Sequence, residues 1–242
     1  MRYAILGDIH SNLEALTAVM RSLAGERIDR YFSVGDLVGY AANPKECIRI
    51  FRGAGGISVA GNHDWASVNL FGLENFKQEA QEALNWTMRN LTEEEKDFLT
   101  GLKLVFKNDD FTLAHGSLNN PRDFNYLSDG YAAEETFRLM ESGICFVGHT
   151  HIAGIFIKSG GERIVFRSDE LNDIMPGNKY IVNVGSVGQP RDSNIKAAYC
   201  IFDSAAKQIQ IKRVDYDVDT ARGKIIDNGL PKFFGERLLL GR

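Results

Sequence analysis

Apolar positions in the first third of the chain come alternately as short unbroken runs and as spaced faces. Residues 2–6 are a run that predicts a strand, and 12–24 place Leu13, Leu16, Val19, Met20 and Leu23 on one side at helical spacing. A second strand is expected at 31–34, a short helix at 44–52 and a third strand at 56–60. Strand, helix, strand in this order implies right-handed crossovers and a parallel sheet. From 65 to 102 the pattern is helical throughout, with Thr92-Glu93-Glu94-Glu95 offering an N-cap and an acidic first turn. Strands return at 104–107, 111–114, 145–147, 154–158, 163–167, 180–184, 197–202 and 208–214, with a helix at 131–141. Turns at Ser159-Gly160-Gly161 and Asp203-Ser204-Ala205-Ala206 make this second half antiparallel or mixed. Residues from 218 onward read as a helix with a loose, basic end. No repeat, Pro-rich linker or shift of composition interrupts the chain, so one α/β domain, 1–242, with a helical insertion near 65–102 is expected.

Composition narrows the class. A chain of 242 residues, 44% hydrophobic and 25% charged, can bury a substantial core and is not a disordered chain. The net charge of −4, from 28 Lys and Arg against 32 Asp and Glu, gives no general footprint for nucleic acid. No apolar run approaches the roughly 18 residues that span a bilayer. The N-terminus runs straight into a strand without the pattern of a signal peptide. Cys47, Cys145 and Cys200 sit singly among apolar neighbours, as reduced core residues do. A cytoplasmic location is therefore expected.

The five histidines, at 10, 63, 115, 149 and 151, all fall at an expected strand end or in the loop after it. That is where ligands bind in α/β sheets. Asp8-Ile9-His10 reads as extended, with both side chains on one face. His149-Thr150-His151 has the same spacing, and its rings converge only if the segment turns. Gly35-Asp36 and Gly61-Asn62-His63-Asp64 close the second and third strands, each Gly allowing a tight bend beside a ligand. Asp, His and Asn donors suit Mn, Fe, Zn, Ni or Co, and the absence of a thiolate argues against structural zinc. Any one of these motifs arises by chance; together, at strand ends, they point to a metal site.

These five blocks, Gly7-Asp8-Ile9-His10, Gly35-Asp36-Leu37, Gly61-Asn62-His63-Asp64, His115-Gly116 and Gly148-His149-Thr150-His151, resemble those of the calcineurin-like metallophosphoesterase superfamily, in order and complete. The likeness extends to residue 192, because Asn183-Val184-Gly185-Ser186-Val187-Gly188-Gln189-Pro190-Arg191-Asp192 resembles the closing loop of small prokaryotic phosphodiesterases and diadenosine tetraphosphatase-like members. The resemblance implies a four-layer α/β/β/α sandwich of two mixed sheets flanked by helices. It implies two divalent metal ions (Mn, Fe, Ni or Zn), one on Asp8, His10 and His151, the other on Asn62, His115 and His149, with Asp36 bridging. A shared carboxylate offsets the repulsion of two close cations, and a hydroxide bridging them becomes a nucleophile near neutral pH. The resemblance also implies that His63 lies over the metals and protonates the leaving oxygen while Asp64 orients its ring, a pairing that would raise the pKa of His63.

Departures from the superfamily's Ser/Thr protein phosphatases narrow the substrate. Gly39-Tyr40 stands where they carry Arg-Gly, and Asp64 where they carry Glu, so a protein phosphatase is not expected. Arg191 is the candidate cation for a substrate phosphate, with a surface salt bridge as its alternative, and Asn62 is a second candidate substrate contact. Phe76 and Trp86, in the helical insertion that could cap the site, could stack on a nucleobase, although aromatics at helical spacing are more commonly core. The expected activity is hydrolysis of small phosphate mono- or diesters or nucleotides, dinucleoside polyphosphates included. One alternative is a catalytically inactive scaffold, which would have lost ligands, and none is lost here. The other is a nuclease, which would need a basic, aromatic-lined groove. A homodimer is an open option.

Overall fold

Both faces of the first strand are buried, which is why it reads as an unbroken apolar run. In β1 (Arg2–Leu6), Tyr3 and Ile5 point into one core cluster and Ala4 and Leu6 into another. The protein is described by a computed structural model over residues 1–160 and 163–242. After β1 come α1 (Leu13–Ala24), β2 (Arg30–Ser33), α2 (Pro44–Gly53), β3 (Ile57–Ser58), α3 (Asn62–Ala66), α4 (Gln78–Asn90) and α5 (Glu93–Thr100). Then β4 (Val105–Lys107), β5 (Thr112–Ala114), α6 (Gly130–Leu139), β6 (Ile144–Val147), β7 (Gly154–Ser159) and β8 (Val165–Arg167) follow. The chain continues with β9 (Leu171–Asp173), β10 (Asn178–Asn183), β11 (Ala197–Asp203), β12 (Gln208–Val214), α7 (Val218–Asp227) and α8 (Lys232–Leu238).

Two six-stranded sheets form, ordered β3-β2-β1-β11-β12-β9 and β4-β5-β6-β10-β7-β8. The strands β3, β2 and β1 are parallel, as their crossovers require, whereas β1–β11 and β11–β12 are antiparallel. The second sheet is likewise mixed, with β10–β6 parallel and β10–β7 antiparallel. The sheets share a core that includes Phe32, Phe111, Phe146, Val182, Cys200 and Phe202. Leu16, Val19 and Leu23 of α1 cover the outside of the first sheet, and Ala133 and Phe137 of α6 the outside of the second. This is the four-layer α/β/β/α sandwich. Cys47, Cys145 and Cys200 are buried and free.

The helical stretch 65–102 is interrupted. The segment between α3 and α4 is irregular, with Asn69 at φ 61° and a single 3₁₀ turn at Leu73–Asn75. The capping box before α5 forms as its sequence suggests: Thr92 Oγ1 accepts from the Glu95 amide and Glu95 Oε2 from the Thr92 amide. The expected single C-terminal helix is two, because Gly229 at φ 70° and Pro231 end α7 and redirect the chain into α8. Asp203 Oδ1 accepts from the Ala205 and Ala206 amides to close the β11–β12 turn. The turn expected at 159–161 lies partly outside the described residues. Strand β9 carries no pattern that sets it apart from a loop.

Candidate metal centre

All five histidines, with Asp8, Asp36 and Asn62, converge at the carboxyl ends of the strands, and all are buried. The expected extended Asp8-Ile9-His10 segment is instead bent. Asp8, His10, Asp36, His149 and His151 adopt φ of 51°, 48°, 54°, 69° and 60°, the left-handed region that L-residues rarely visit. Each such residue costs about 1–3 kcal/mol and persists where surrounding contacts over-determine it. Those contacts include main-chain hydrogen bonds: Asp8 N donates to the Gly35 carbonyl, His10 N to the Asp36 carbonyl and Ser11 N to the Leu37 carbonyl. The bend aims neighbouring side chains at one point, which an extended strand cannot do.

Gly35, at φ 102°, makes the tight bend expected of it, while Gly61, at φ −95°, and Gly148 serve close approach instead. A Cβ on Gly61 would overlap the Asp36 carboxylate, and one on Gly148 would overlap Asp8 Oδ2. Each gives room to a carboxylate from a different motif, so the close approach exists only in three dimensions.

Three imidazoles have their protonation pattern set by main-chain carbonyls. Nδ1 of His10 meets the Val38 carbonyl at 3.1 Å, Nδ1 of His115 the Val34 carbonyl at 2.8 Å, and Nδ1 of His151 the Gln189 carbonyl at 2.6 Å. A carbonyl only accepts, so Nδ1 carries the proton and Nε2 of the neutral ring is left with a lone pair. Yet His10 Nε2 and His151 Nε2 face each other at 3.1 Å. His115 Nε2 lies 3.0 Å from His149 Nδ1 and 3.1 Å from Asn62 Oδ1. Lone pairs turned on one another in a buried site need an electrophile between them, and a metal cation satisfies that need. Burial holds His10 and His149 well below the usual histidine range and lowers His151 also, which keeps these rings neutral and able to ligate. At His115 burial likewise opposes charge, but the Asp36 carboxylate prevails and raises the ring to about 9. A positive charge at that spot is thus favoured.

Asp36 stands between the two groups. Its Oδ1 accepts from the His63 amide at 2.9 Å, while its buried Oδ2 has no hydrogen-bond partner among the described residues. Oδ2 lies 3.5 Å from His10 Nε2 and 3.3 Å from His115 Nε2. Asp8 Oδ1 is 3.2 Å from His151 Nε2, and both Asp8 oxygens accept from the His149 amide. Asp8, His10 and His151 thus form one set that could hold a metal ion, and Asp36, His115 and His149 a second. Ligand atoms of His10, Asp36 and His63 also lie close enough to form a third grouping. The donors fit divalent cations.

Residues 1–207 match the family described as the calcineurin-like phosphoesterase superfamily domain. The chain belongs to this superfamily. It is similar to an uncharacterized protein of Methanocaldococcus jannaschii, 38% identical over 99% of this chain and 98% of that one. The crystal structure of a metallophosphoesterase from Sphaerobacter thermophilus superposes with a TM-score of 0.89 at 35% identity, covering 100% of this chain and 99% of the other. A hypothetical protein of Pyrococcus horikoshii OT3 shares the fold, with a TM-score of 0.81, 20% identity and coverage of 100% and 98%.

The candidate ligand sets open onto a cavity of about 470 Å³. His63 lines it, with its ring packed against Tyr40, His10 and Phe76 at centroid distances of 4.4, 4.8 and 4.9 Å. The role expected of Asp64 needs correction. Its carboxylate accepts amide hydrogens of Asp36, Leu37, Val38 and Gly61 and makes no hydrogen bond to the His63 ring, whose Nδ1 has no partner among the described residues. Asp64 therefore ties the Asp36 loop to the start of α3. Burial and the adjacent Asp36 charge push its carboxyl up to about 7, against the pull of the amides. His63 is not raised, as a neighbouring carboxylate would raise it, but lowered by burial to about 4.

Among the described residues Arg191 makes no surface salt bridge; it faces the cavity. Its Nη2 donates to Gln189 Oε1 at 2.9 Å and Tyr40 Oη at 3.3 Å, while the neighbouring Asp192 pairs with Arg213. Phe76 lines the cavity wall, whereas Trp86 packs into the cluster beneath α4 and α8. Several wall residues were not anticipated: Tyr40, Asn75, Lys77, Glu79 and Ala80, Tyr126, and Phe233, Phe234 and Arg237 of α8. Tyr126 stacks on His149 with centroids 3.9 Å apart and rings 12° from parallel. Only the aromatic doublet Phe233-Phe234, at the start of a supposedly loose tail, hinted at packing there.

Proposed function

We propose that the protein hydrolyses phosphate esters with two divalent metal ions, acting on small diesters or nucleotides, dinucleoside polyphosphates included. One observation carries the reading: a single buried, unpartnered carboxylate oxygen, Asp36 Oδ2, lies between two clusters of inward-facing imidazoles. Asp8, His10 and His151 would hold one ion, Asn62, His115 and His149 the other, and Asp36 both. The nitrogen and oxygen donors suit Mn, Fe, Ni or Zn. Such a pair of ions favours ionisation of water near neutral pH and offsets negative charge on a phosphoryl group.

The remaining chemistry falls to the chain. Arg191 would clasp a nonbridging phosphate oxygen with its free guanidinium edge, its fork held by Gln189 and Tyr40. Asn62 would turn its amide toward the same phosphate. His63, on the cavity wall, would hand a proton to the departing oxygen once the negative charge of a bound phosphate offsets the burial that otherwise keeps its ring neutral. Asp64 acts at one remove, holding Asp36 and His63 in register through main-chain amides. Phe76 and Tyr126 exclude water and offer rings to an organic group. Both sheets supply ligands, which supports reading 1–242 as one domain, and three buried free thiols support a cytoplasmic location. Metal-free protein reloaded with Mn(II), Ni(II), Zn(II) or Mg(II) is assayed against phosphate mono- and diesters, bis(p-nitrophenyl) phosphate and dinucleoside polyphosphates among them. Turnover of the diester is expected. No turnover with any pairing overturns the reading.

A further inference from the structure

The superfamily match ends at residue 207, yet a wall of the cavity is built by α8, some 25 residues further along. Phe234 fixes this helix in place, buried with its ring 4.5 Å from that of Tyr40. Its neighbours Phe233 and Arg237 face the cavity, with the guanidinium 5.1 Å from the Phe233 ring centre. The Nε of Arg237 donates to the main-chain carbonyl of Arg242, and its two amino ends have no partner among the described residues.

Arg191 lines the same cavity, and its buried Nε is also unpartnered among the described residues. Among the described residues neither guanidinium pairs with an Asp or Glu side chain, and the hydrogen bond of Arg237 Nε to the Arg242 main-chain oxygen leaves its amino ends free. Lys77, which also lines the cavity, is unpaired among the described residues, and Glu79 is an acidic group of the same wall. Two guanidiniums sharing a partly buried cavity repel each other unless an anion lies between them. The charge of Arg191 indeed depresses Arg237, second to burial, to about 10. One phosphate at the metals would occupy Arg191. Arg191 reaches Tyr40, whose ring packs on His10 and His63, whereas Arg237 stands on α8 and is placed to take a second.

We propose that α8 supplies a second phosphate subsite, with Arg237 as its specificity-determining residue, so that this phosphoesterase takes substrates carrying a chain of at least two phosphates. The half-exposed Phe233 beneath the guanidinium holds that fork flat toward the cavity. The subsite rests on the two-metal reading above, and its test is separable from it. AMP and α,β-methylene-ADP share the nucleoside and first phosphate and differ by the second phosphoryl group. Calorimetry on the Mn(II)-saturated protein is expected to show the diphosphate analogue binding about tenfold tighter than AMP, as a charge-assisted, forked contact allows. In Arg237→Ala that ratio should fall to near one, and Arg237→Lys should restore part of it, with circular dichroism confirming the fold of both.

An unchanged ratio in Arg237→Ala, or failure of both nucleotides to bind the unaltered protein, overturns the subsite. If the ratios behave as expected but no ester is hydrolysed, the subsite stands and the catalytic reading falls. In turnover, Arg237→Ala should lose more kcat/KM on a dinucleoside polyphosphate than on a nucleoside monophosphate ester, mainly through KM. An equal loss on both marks a merely structural residue and also overturns the proposal.

Discussion

The floor and the walls of the cavity are built on opposite principles. The floor is made of strand-end loops whose side chains are buried, bent into left-handed backbone and tied by amides and carbonyls from several motifs. The walls, from the 67–77 segment, Tyr126 and α8, carry half-exposed rings and cations without ionic partners among the described residues. Chemistry that needs ligand atoms within a few tenths of an ångström requires the first kind of construction. Discrimination among substrates requires only shape and charge, and the second kind supplies them at little cost in strain.

The comparison can be broken most sharply at Asp36. Asp36→Ala should lower kcat by about 10³-fold or more, since the charge stabilisation at stake is several kcal/mol. Elemental analysis should show both metals depleted; full retention of two ions would refute the bridging role. Next in size is removal of the metals from the unaltered protein. The facing lone pairs have only the ions between them to relieve their repulsion, so stripping a site held at about 1,000 times its Kd should cost ~4 kcal/mol. For a chain of this length that is a fall in Tm of about 8–16 °C by calorimetry. An unchanged Tm would mean that the floor is rigid without metal.

His63→Gln belongs to the border between the two regions. It should keep both ions and lose about 10²-fold in kcat on alkyl esters, and much less on p-nitrophenyl esters, whose leaving group needs no proton. Loss of metal instead would make His63 a ligand, as its place beside His10 and Asp36 also permits. The smallest effect is expected at the wall: Arg191→Ala should raise KM by about tenfold with kcat within a few-fold, one charge-assisted contact being lost. A collapse of kcat with unchanged KM would move Arg191 from the wall to the reacting phosphate.

Much of the floor was legible in the chain. Five histidines at strand ends, with Gly-Asp and Gly-Asn-His-Asp among them, name the same residues that the fold brings together. Short-range chemistry writes itself into short motifs, because each strand end offers only a few positions to a ligand. The parallel start of the first sheet was legible for a similar reason, since a helix between two apolar runs leaves few ways to pair them. The 67–77 segment was not, because a helical hydrophobic pattern there also fits an irregular segment packed on the same core. The role of Asp64 was not legible either: a carboxylate beside a histidine in sequence faced four amides in space. Arg191 was a candidate from its loop, but the Gln189 and Tyr40 that hold its fork were not.

What the sequence determined by itself was the inventory of donors, their order and the two-layered run of apolar strands that presents them. Tertiary structure alone decided which glycine makes room for which carboxylate, which imidazole nitrogen carries the proton, and that α8 returns to close the cavity. The physical reason is range. Burial and period act on neighbours in the chain, whereas Gly148 meets Asp8 across 140 positions and Phe234 meets Tyr40 across 194, contacts that exist only once the layers have packed.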